Sequence, residues 1–551
     1  MIKNPKYLFI VGGVISGVGK GVASSSIARI LKNRGFSVTA LKIDPYINID
    51  AGTMNPTEHG EVFVLSDGDE TDQDMGNYER FLNTDLTRIN YMTTGRVYQS
   101  VIEKERSLFY KGKCVEVVPH IPLEVIERIE NAQKKAGAEV TIVEIGGTVG
   151  EYQNMLFLEA ARMMKIKHHQ DVFFGMVSYL PVPSKVGEMK TKPTQTAVRT
   201  LNASGILPDL IIARSQDPLD QKRKEKISVF CNIAPERIIA APDVNSIYDV
   251  PANFEKEGLT DMLISIMGLN KKKQTTHTEA SAWNSFVKKS HTATKKVKIA
   301  VIGKYFDTGE YLFSDAYVSV IEALKYSAYA QNLKAELTWI NVVDFETGKK
   351  KLGALSGFDG VLIPGGFGSR GIEGKIKVIE YVRKNKIPYF GICYGMQLAI
   401  VEFARNVLKL KDAHTQEVNP KTSNPLIHIM KSQMVNLSEE KYGGNMRLGS
   451  YKAHILKNTQ AYTAYQTNTI TERHRHRYEV NNDYRARLEA KGIVFSGVSP
   501  DDSLVEIMEL PKNIHPFFVA VQFHPEFLAR PLAPHPLFSL FVKNAYARGN
   551  K

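Results

Sequence analysis

Cysteine is scarce: the chain has three in 551 residues, Cys114, Cys231 and Cys393, too far apart for a disulfide framework or a metal knuckle. That scarcity points to a reducing compartment, where a cysteine remains a usable thiol; Cys114 and Cys231 are read as packing residues. No apolar run approaches the roughly 20 residues that span a bilayer. Lys3 and Lys6 before Tyr7–Val11 imitate a short secretory leader, but no small-residue cleavage site follows, and the run ends in glycines. A cytoplasmic location is expected, with no membrane partner. The sequence also lacks internal repeats and extended low-complexity tracts. Its net charge of +13 forms no basic stripe interleaved with aromatics, since Lys222-Arg223-Lys224, Lys271-Lys272-Lys273 and Lys349-Lys350-Lys351 lie in separate segments. Solvated surface accounts for these clusters, with nucleotide phosphates drawn by the field, and nucleic acid is not expected as a partner.

A composition of 43% hydrophobic and 23% charged residues is that of a globular chain, and the length calls for about two to four domains. Residues 7 to 268 alternate β-like runs (Tyr7–Val11, Ser37–Ile43, Val140–Ile145, Val172–Val177, Leu210–Ala213) with amphipathic helical segments. This alternation predicts a doubly wound parallel α/β sheet over residues 1–268. A polar, lysine-rich stretch around Trp283, residues 269–296, reads as the linker. A second α/β pattern covers 297–546, through Val297–Ile302, Gly360–Pro364, Pro388–Cys393 and Phe518–His524.

The run Gly12-Gly13-Val14-Ile15-Ser16-Gly17-Val18-Gly19-Lys20-Gly21 follows the first strand and opens a helix expected over Val22–Lys32. Glycine amides can close on phosphate oxygens, the helix N-terminus adds positive potential, and Lys20 adds a full charge. The run departs from the common P-loop pattern, because Gly21 stands where a magnesium-binding hydroxyl is usual and the Gly13-to-Gly19 spacing is one residue long. A bare glycine turn is the alternative. Magnesium would then need other hard oxygen ligands. Asp67, Asp69, Glu70, Asp72 and Asp74 form a dense acidic loop, most of which a solvated turn would explain equally. Glu144 ends the apolar run Val140–Val143, and the carboxyl end of a central strand is where such sheets place ligands. Lys190-Thr191-Lys192-Pro193-Thr194-Gln195 reads as a polar loop able to clamp a second nucleotide.

In the second half, strand Tyr389–Ile392 runs into Cys393 on a glycine-flanked turn before a helix, an elbow that exposes one side chain above a sheet. His524 is a candidate base and Glu526 its orienter. Gly365-Gly366-Phe367-Gly368 offers amides for an oxyanion hole. Taken singly, each feature could be structural: a buried cysteine, a core histidine.

With these motifs, the second half resembles a class I glutamine amidotransferase domain. The whole chain resembles the CTP synthases, through Lys42–Asn48, Gly52–Met54, His59–Val64, Gly76–Phe81, Lys190–Gln195, Pro364–Gly368 and Glu472–Asn482. The resemblance implies ATP, UTP and L-glutamine as substrates, Mg²⁺ as cofactor, CTP as feedback inhibitor, GTP as allosteric activator, and a homotetramer. Gly17, Val18, Gly19, Lys20, Gly21 and Val22 would hold ATP, with Lys20 on the transferring phosphoryl group, Lys42 assisting, Asp74 and Glu144 on the metal, and Val244 against adenine. Ser16, Glu151, Tyr152, Gln153, Lys190, Thr191, Lys192, Pro193, Thr194, Gln195 and Lys226 would bind UTP or CTP. Many relatives carry Asp-Ile-Glu where this chain has Glu151-Tyr152-Gln153, which puts the strength of CTP feedback in question. Glutamine would meet Gly366, Tyr394, Gly395, Met396, Gln397, Glu417 and Arg477. His59 and Val62 match positions in an ammonia tunnel, and Arg370 and Glu373 are candidates for GTP. Two other readings are a different ATP-dependent amidotransferase, such as a cobyrinic acid amidase, and a non-catalytic assembly protein; the second would require a missing catalytic group, and none is missing.

Overall fold

The computed structural model describes residues 4–185, 187–270, 277–304, 307–308, 311–312, 314–430 and 446–550. Lys3 and the cluster Lys271–Lys273 lie outside these residues. The chain divides into two compact units: residues 1–51 with 74–287, and residues 52–73 with 288–551.

The first unit is built on a seven-stranded, wholly parallel sheet. Its order is Tyr91–Thr93, Val38–Asp44, Val140–Ile145, Lys6–Gly13, Val172–Tyr179, Leu210–Ser215, Ile238–Pro242. Its central strands are near-continuous apolar runs because helices cover both faces; Leu8, Phe9, Ile10, Ile142 and Val143 are fully buried. Chain order reverses between Lys6–Gly13 and Val140–Ile145, whose register sets Ile10 opposite Glu144. The phosphate loop and Glu144 therefore share the switch-point crevice, as expected for an open α/β sheet.

The second unit carries a nine-stranded mixed sheet. Five parallel strands (Leu333–Asn341, Lys295–Gly303, Gly360–Ile363, Tyr389–Ile392, Phe518–Val521) continue into four antiparallel ones (Val505–Glu509, Val494–Val498, Arg447–Ile455, Thr469–His476). Residues 52–73, early in sequence, cluster with this unit rather than with their chain neighbours. The hairpin of Phe63–Val64 and Glu70–Thr71 is held there by contacts from both its strands. Phe63 packs edge-on to Phe527 at 5.2 Å, Arg473 donates to Val64 O at 3.0 Å, and Arg475 pairs with Glu70 at 2.8 Å.

Two expectations need correction. Much of the stretch read as linker is the helix His277–Thr292, whose Trp283 and Phe286 are buried against Phe81 and Tyr248. The aromatics outweigh the surrounding lysines, and Arg29 lies over the Trp283 ring at 5.2 Å. Cys231 is buried as expected, but Cys114 is exposed, in the turn between helices Thr94–Arg106 and Val117–Ala136. Among the described residues, no helix is long and apolar enough to cross a membrane.

Candidate active sites

In the first unit, left-handed φ values at Val14, Gly17 and Gly19 turn the phosphate loop, and the helix Lys20–Asn33 begins after Gly19. Lys20 is buried and donates to Gly147 O at 2.9 Å. Burial lowers the Lys20 ammonium from its ordinary range, with Glu144 working against that shift and Lys42 adding to it. A Cβ on Gly21 would lie 2.0 Å from Asp74 Oδ1, so the missing side chain leaves room for a carboxylate.

Lys42 stands between the acids, 2.7 Å from Asp74 Oδ2 and 3.0 Å from Glu144 Oε1. Burial alone would raise the Asp74 carboxyl, but Lys42, by charge and hydrogen bond, holds it low, and Asn77 assists. Two groups assigned no role from the sequence join this cluster. Tyr78 donates to Glu144 Oε2, and buried Asp44, 3.7 Å from Lys42, accepts from Tyr91 at 3.0 Å. Burial raises the Asp44 carboxyl, against the pull of Lys42. Their only sequence signal was inclusion in the runs Lys42–Asn48 and Gly76–Phe81. Among the described residues, no three His, Cys, Asp or Glu side chains form a ready metal cage. The Asp74 and Glu144 oxygens do share one cation, the Lys42 ammonium, which suits a hard divalent ion completed by phosphate and water.

A small cleft beside the loop is lined by Gly19, Val22, Ile212, Arg214, Pro242 and Phe254, and half-buried Val244 lies two residues past Pro242. Ser16, Tyr152, Gln153, Lys192 and Lys226 are exposed, and Gln153 donates to Glu151 at 3.1 Å. The stretch Lys190–Gln195 is not wholly a loop, because the helix Lys192–Ala203 begins within it and takes Pro193 in its first turn. Thr194 is turned inward onto Ser178 at 2.8 Å and Gln195 onto Thr191 at 3.1 Å, while Lys190 pairs with Glu188.

In the second unit, Cys393 takes φ +49° between strand Tyr389–Ile392 and helix Tyr394–Asn406, a strained elbow for a side chain. Its amide donates to Val521 O at 2.6 Å and so is not free to face an oxyanion. The Tyr394 amide, first in the helix, has no intrahelical acceptor. His524 Nδ1 is 2.7 Å from Glu526 Oε1, and its Nε2 makes no hydrogen bond of ordinary length among the described residues. Burial disfavours a charged ring, yet Glu526 and then the Cys393 sulfur lift the imidazole to about 10. Gly365 is required here, since a Cβ would lie 2.7 Å from His524 Cε1.

Cys393, His524 and Glu526 line a cavity of about 650 Å³ with Gly366, Gln397, Glu417 and Arg477, and with Gly52, Pro56 and Val62 from the early segment. His59, exposed at the end of the short helix Pro56–His59, is not in its lining. Gln397 donates to Tyr478 O at 3.1 Å, and Gln522, unmarked by any sequence pattern, donates to Cys393 Sγ at 3.6 Å. The Met396 side chain is buried in the core, which leaves its backbone for any ligand. Glu417 accepts from the Gly368 amide at 2.7 Å, and burial raises its carboxyl, opposed first by that amide. Arg370 is exposed, whereas both Glu373 oxygens lie 2.9 Å from Arg405 Nη1.

A phosphate loop facing paired acids in one unit and a cysteine elbow with its His-Glu pair in the other are two different chemistries on one chain, and the relatives of both halves agree. Residues 6–269 match the family model for the CTP synthase N-terminus, and residues 312–544 that for class I glutamine amidotransferases. A CTP synthase of Thermococcus gammatolerans is 48% identical over 545 residues, spanning 98% of this chain and 99% of the relative. The CTP synthase of Pyrococcus furiosus is 49% identical over 542 residues, spanning 98% of each. That of Nostoc punctiforme is 46% identical, spanning 98% of this chain and 97% of the relative. With likeness at that level running through both units, the chain belongs to the CTP synthase family.

Proposed function

We propose that the chain makes CTP from UTP, with ATP as phosphoryl donor and glutamine as nitrogen donor. One observation carries the reading: the Cys393–His524–Glu526 set and the Lys20–Lys42–Asp74–Glu144 cluster are both complete in one chain.

In the first unit, Lys20 and the loop amides hold the ATP phosphates, and apolar Val22 and Phe254 line the slot for the base beside Val244. O4 of uracil is a poor leaving group, so it first takes the γ-phosphoryl group. That transfer depends on positioning and charge neutralisation more than on covalent help. Asp74 and Glu144 would hold Mg²⁺, which when bound neutralises phosphate charge. Lys42 keeps both acids facing one another across its ammonium. Ammonia then adds at C4 and phosphate leaves. Ser16, Glu151, Tyr152, Lys190 and Lys226 are the residues we assign to UTP, and to CTP when it inhibits. Thr194 and Gln195, bonded inward, shape that wall instead of pointing polar atoms at the ligand.

In the second unit, the Cys393 proton passes to His524 and the sulfur attacks the glutamine side-chain amide. The oxyanion meets the amides of Gly366 and Tyr394. The raised imidazole, held charged by Glu526, then gives its proton to the departing ammonia, and water hydrolyses the thioester to glutamate. Glu417 and Arg477 hold the amino-acid end of glutamine. Ammonia in bulk water would be protonated and lost as a nucleophile, so an internal passage is part of the proposal, with Val62 in its lining and His59 beyond the cavity. GTP activation through Arg370 and Glu373, CTP inhibition and a tetrameric assembly rest on the resemblance alone.

Replacing Cys393 with alanine tests the division of labour. We expect loss of glutamine-dependent CTP formation with ammonia-dependent formation retained. Equal loss of both would overturn it.

A further inference from the structure

Side chains from separate parts of the chain hold the glycine loop after strand Gly360–Ile363. Lys304 donates to Phe367 O, the Gly368 amide donates to Glu417 at 2.7 Å, and Tyr394 donates to Gly368 O at 2.9 Å. A fourth residue reaches the same loop without bonding to it. Lys375, on helix Ile372–Lys384, is 2% exposed, and its ammonium makes no hydrogen bond or ion pair among the described residues. Its Nζ lies 4.9 Å from the Tyr394 ring centroid and 3.8 Å from where a Cβ on Gly366 would stand. A buried ammonium with a ring face beside it and no carboxylate or carbonyl bonded to it is costly, and an apolar side chain would fill the same space more cheaply.

The charged and titratable groups facing Lys375 are Lys304, Glu417 and Cys393, with Arg370 acting on Lys304. Burial first, and then Lys304, bring the ammonium down to about 7, while Glu417 and Cys393 work in the opposite direction. The lysine therefore responds to the two groups that meet glutamine in the proposed reaction. The same charge would interact with a third, the anion formed on the amide oxygen at Gly366. An ammonium in a water-excluded site acts on developing charge at several ångströms without needing a direct bond.

We propose that Lys375 is a positioning residue of the glutaminase reaction. Its buried charge steadies Glu417 and stabilises the oxyanion that forms beside Gly366 when the Cys393 sulfur adds to the amide. The proposal rests on the glutaminase reading given above and deepens it. No new bond or co-reactant is involved, because Lys375 keeps its protons throughout.

The test uses the full chain carrying Lys375→Met, which keeps the length and removes the charge, and Lys375→Arg, which keeps the charge. Glutamine hydrolysis, ammonia-dependent CTP formation and thermal melting are measured on each. We expect Lys375→Met to lower kcat for glutamine by about tenfold to a hundredfold, with a smaller change in KM. Melting and the ammonia-dependent rate should hold, and Lys375→Arg should recover most of the loss. The ammonium is the active form, so kcat/KM of the wild type should decline as pH rises above about 7. That limb should be absent in Lys375→Met and displaced upward in Lys375→Arg. Hydrolysis by Lys375→Met within about twofold of wild type, or a loss confined to KM, would overturn the proposal. So would an arginine variant as poor as the methionine one at equal stability. Glutamine hydrolysis surviving in Cys393→Ala would instead undo the glutaminase assignment, so the two failures are distinguishable.

Discussion

Gly21 and Asp74 compete for one space: a Cβ on the glycine would stand 2.0 Å from Oδ1 and 2.4 Å from Cγ of the carboxylate. A phosphate loop of the common kind places a hydroxyl at this position, whereas here a carboxylate from 53 positions later fills it.

Restoring the common residue should therefore harm the site. Gly21→Ser would push Asp74 off Lys42, and we expect CTP formation to fall about a hundredfold with either glutamine or ammonia, the scale of a 1 Å misplacement. Glutamine hydrolysis should survive, which assays of glutamate release would show.

The Glu526–His524 pair sets a pH dependence. His524 is raised from about 6.5 to about 10, so its pairing contributes fully below pH about 6.5 and is lost as pH rises through about 10. Glu526→Gln should melt earlier than wild type at pH 6, and the gap should close towards pH 10. Its glutamine-dependent rate should drop by about 10²-fold or more, as expected when the group orienting a catalytic histidine is neutralised. A calorimetric pH series and rate assays check both.

Gln153 donates to Glu151 at 3.1 Å. Gln153→Glu removes that donor and offers a second acceptor to a sugar or base. We expect the CTP concentration for half-inhibition to fall by about tenfold, the worth of one charge-assisted hydrogen bond. Unchanged inhibition curves would sink the idea.

Trp283 is packed by Phe81, Tyr248, Phe286 and the Arg29 guanidinium. Trp283→Ala should destabilise the first unit by about 3–5 kcal/mol. Denaturant titration should then show an earlier transition for that unit, with the glutaminase unit unmoved.

What could be read from the sequence follows a physical divide. The elbow at Cys393 was legible because strand, thiol, glycines and helix are contiguous, and His524 and Glu526 are two residues apart. The parallel core was legible because strands buried on both faces must be apolar throughout. Gly21 was visible only as a departure from pattern, since its reason is a space occupied by Asp74. Asp44 and Tyr78 gave no separate signal, because their burial around Lys42 is a tertiary fact. Thr194 and Gln195 looked like a polar loop until Ser178 and Thr191 took up their hydrogen bonds. The helix around Trp283 was hidden by lysines whose solvated heads say nothing of the aromatic face opposite.

The early segment from Gly52 to Gln73 gives the chain an unusual route. It leaves the first unit after Ala51, returns at Asp74, and leaves again after Val287. No single cut can then yield both units whole. A fragment starting at Lys288 would retain Cys393, His524 and Glu526 yet lose Val62 from its cavity, Phe63 from Phe527, and the acid that Arg475 holds. Its partner fragment would keep that hairpin as an unanchored insertion. For this chain, one unit of folding and one stretch of gene are different things, and a separately produced glutaminase needs its missing 22 residues supplied from upstream.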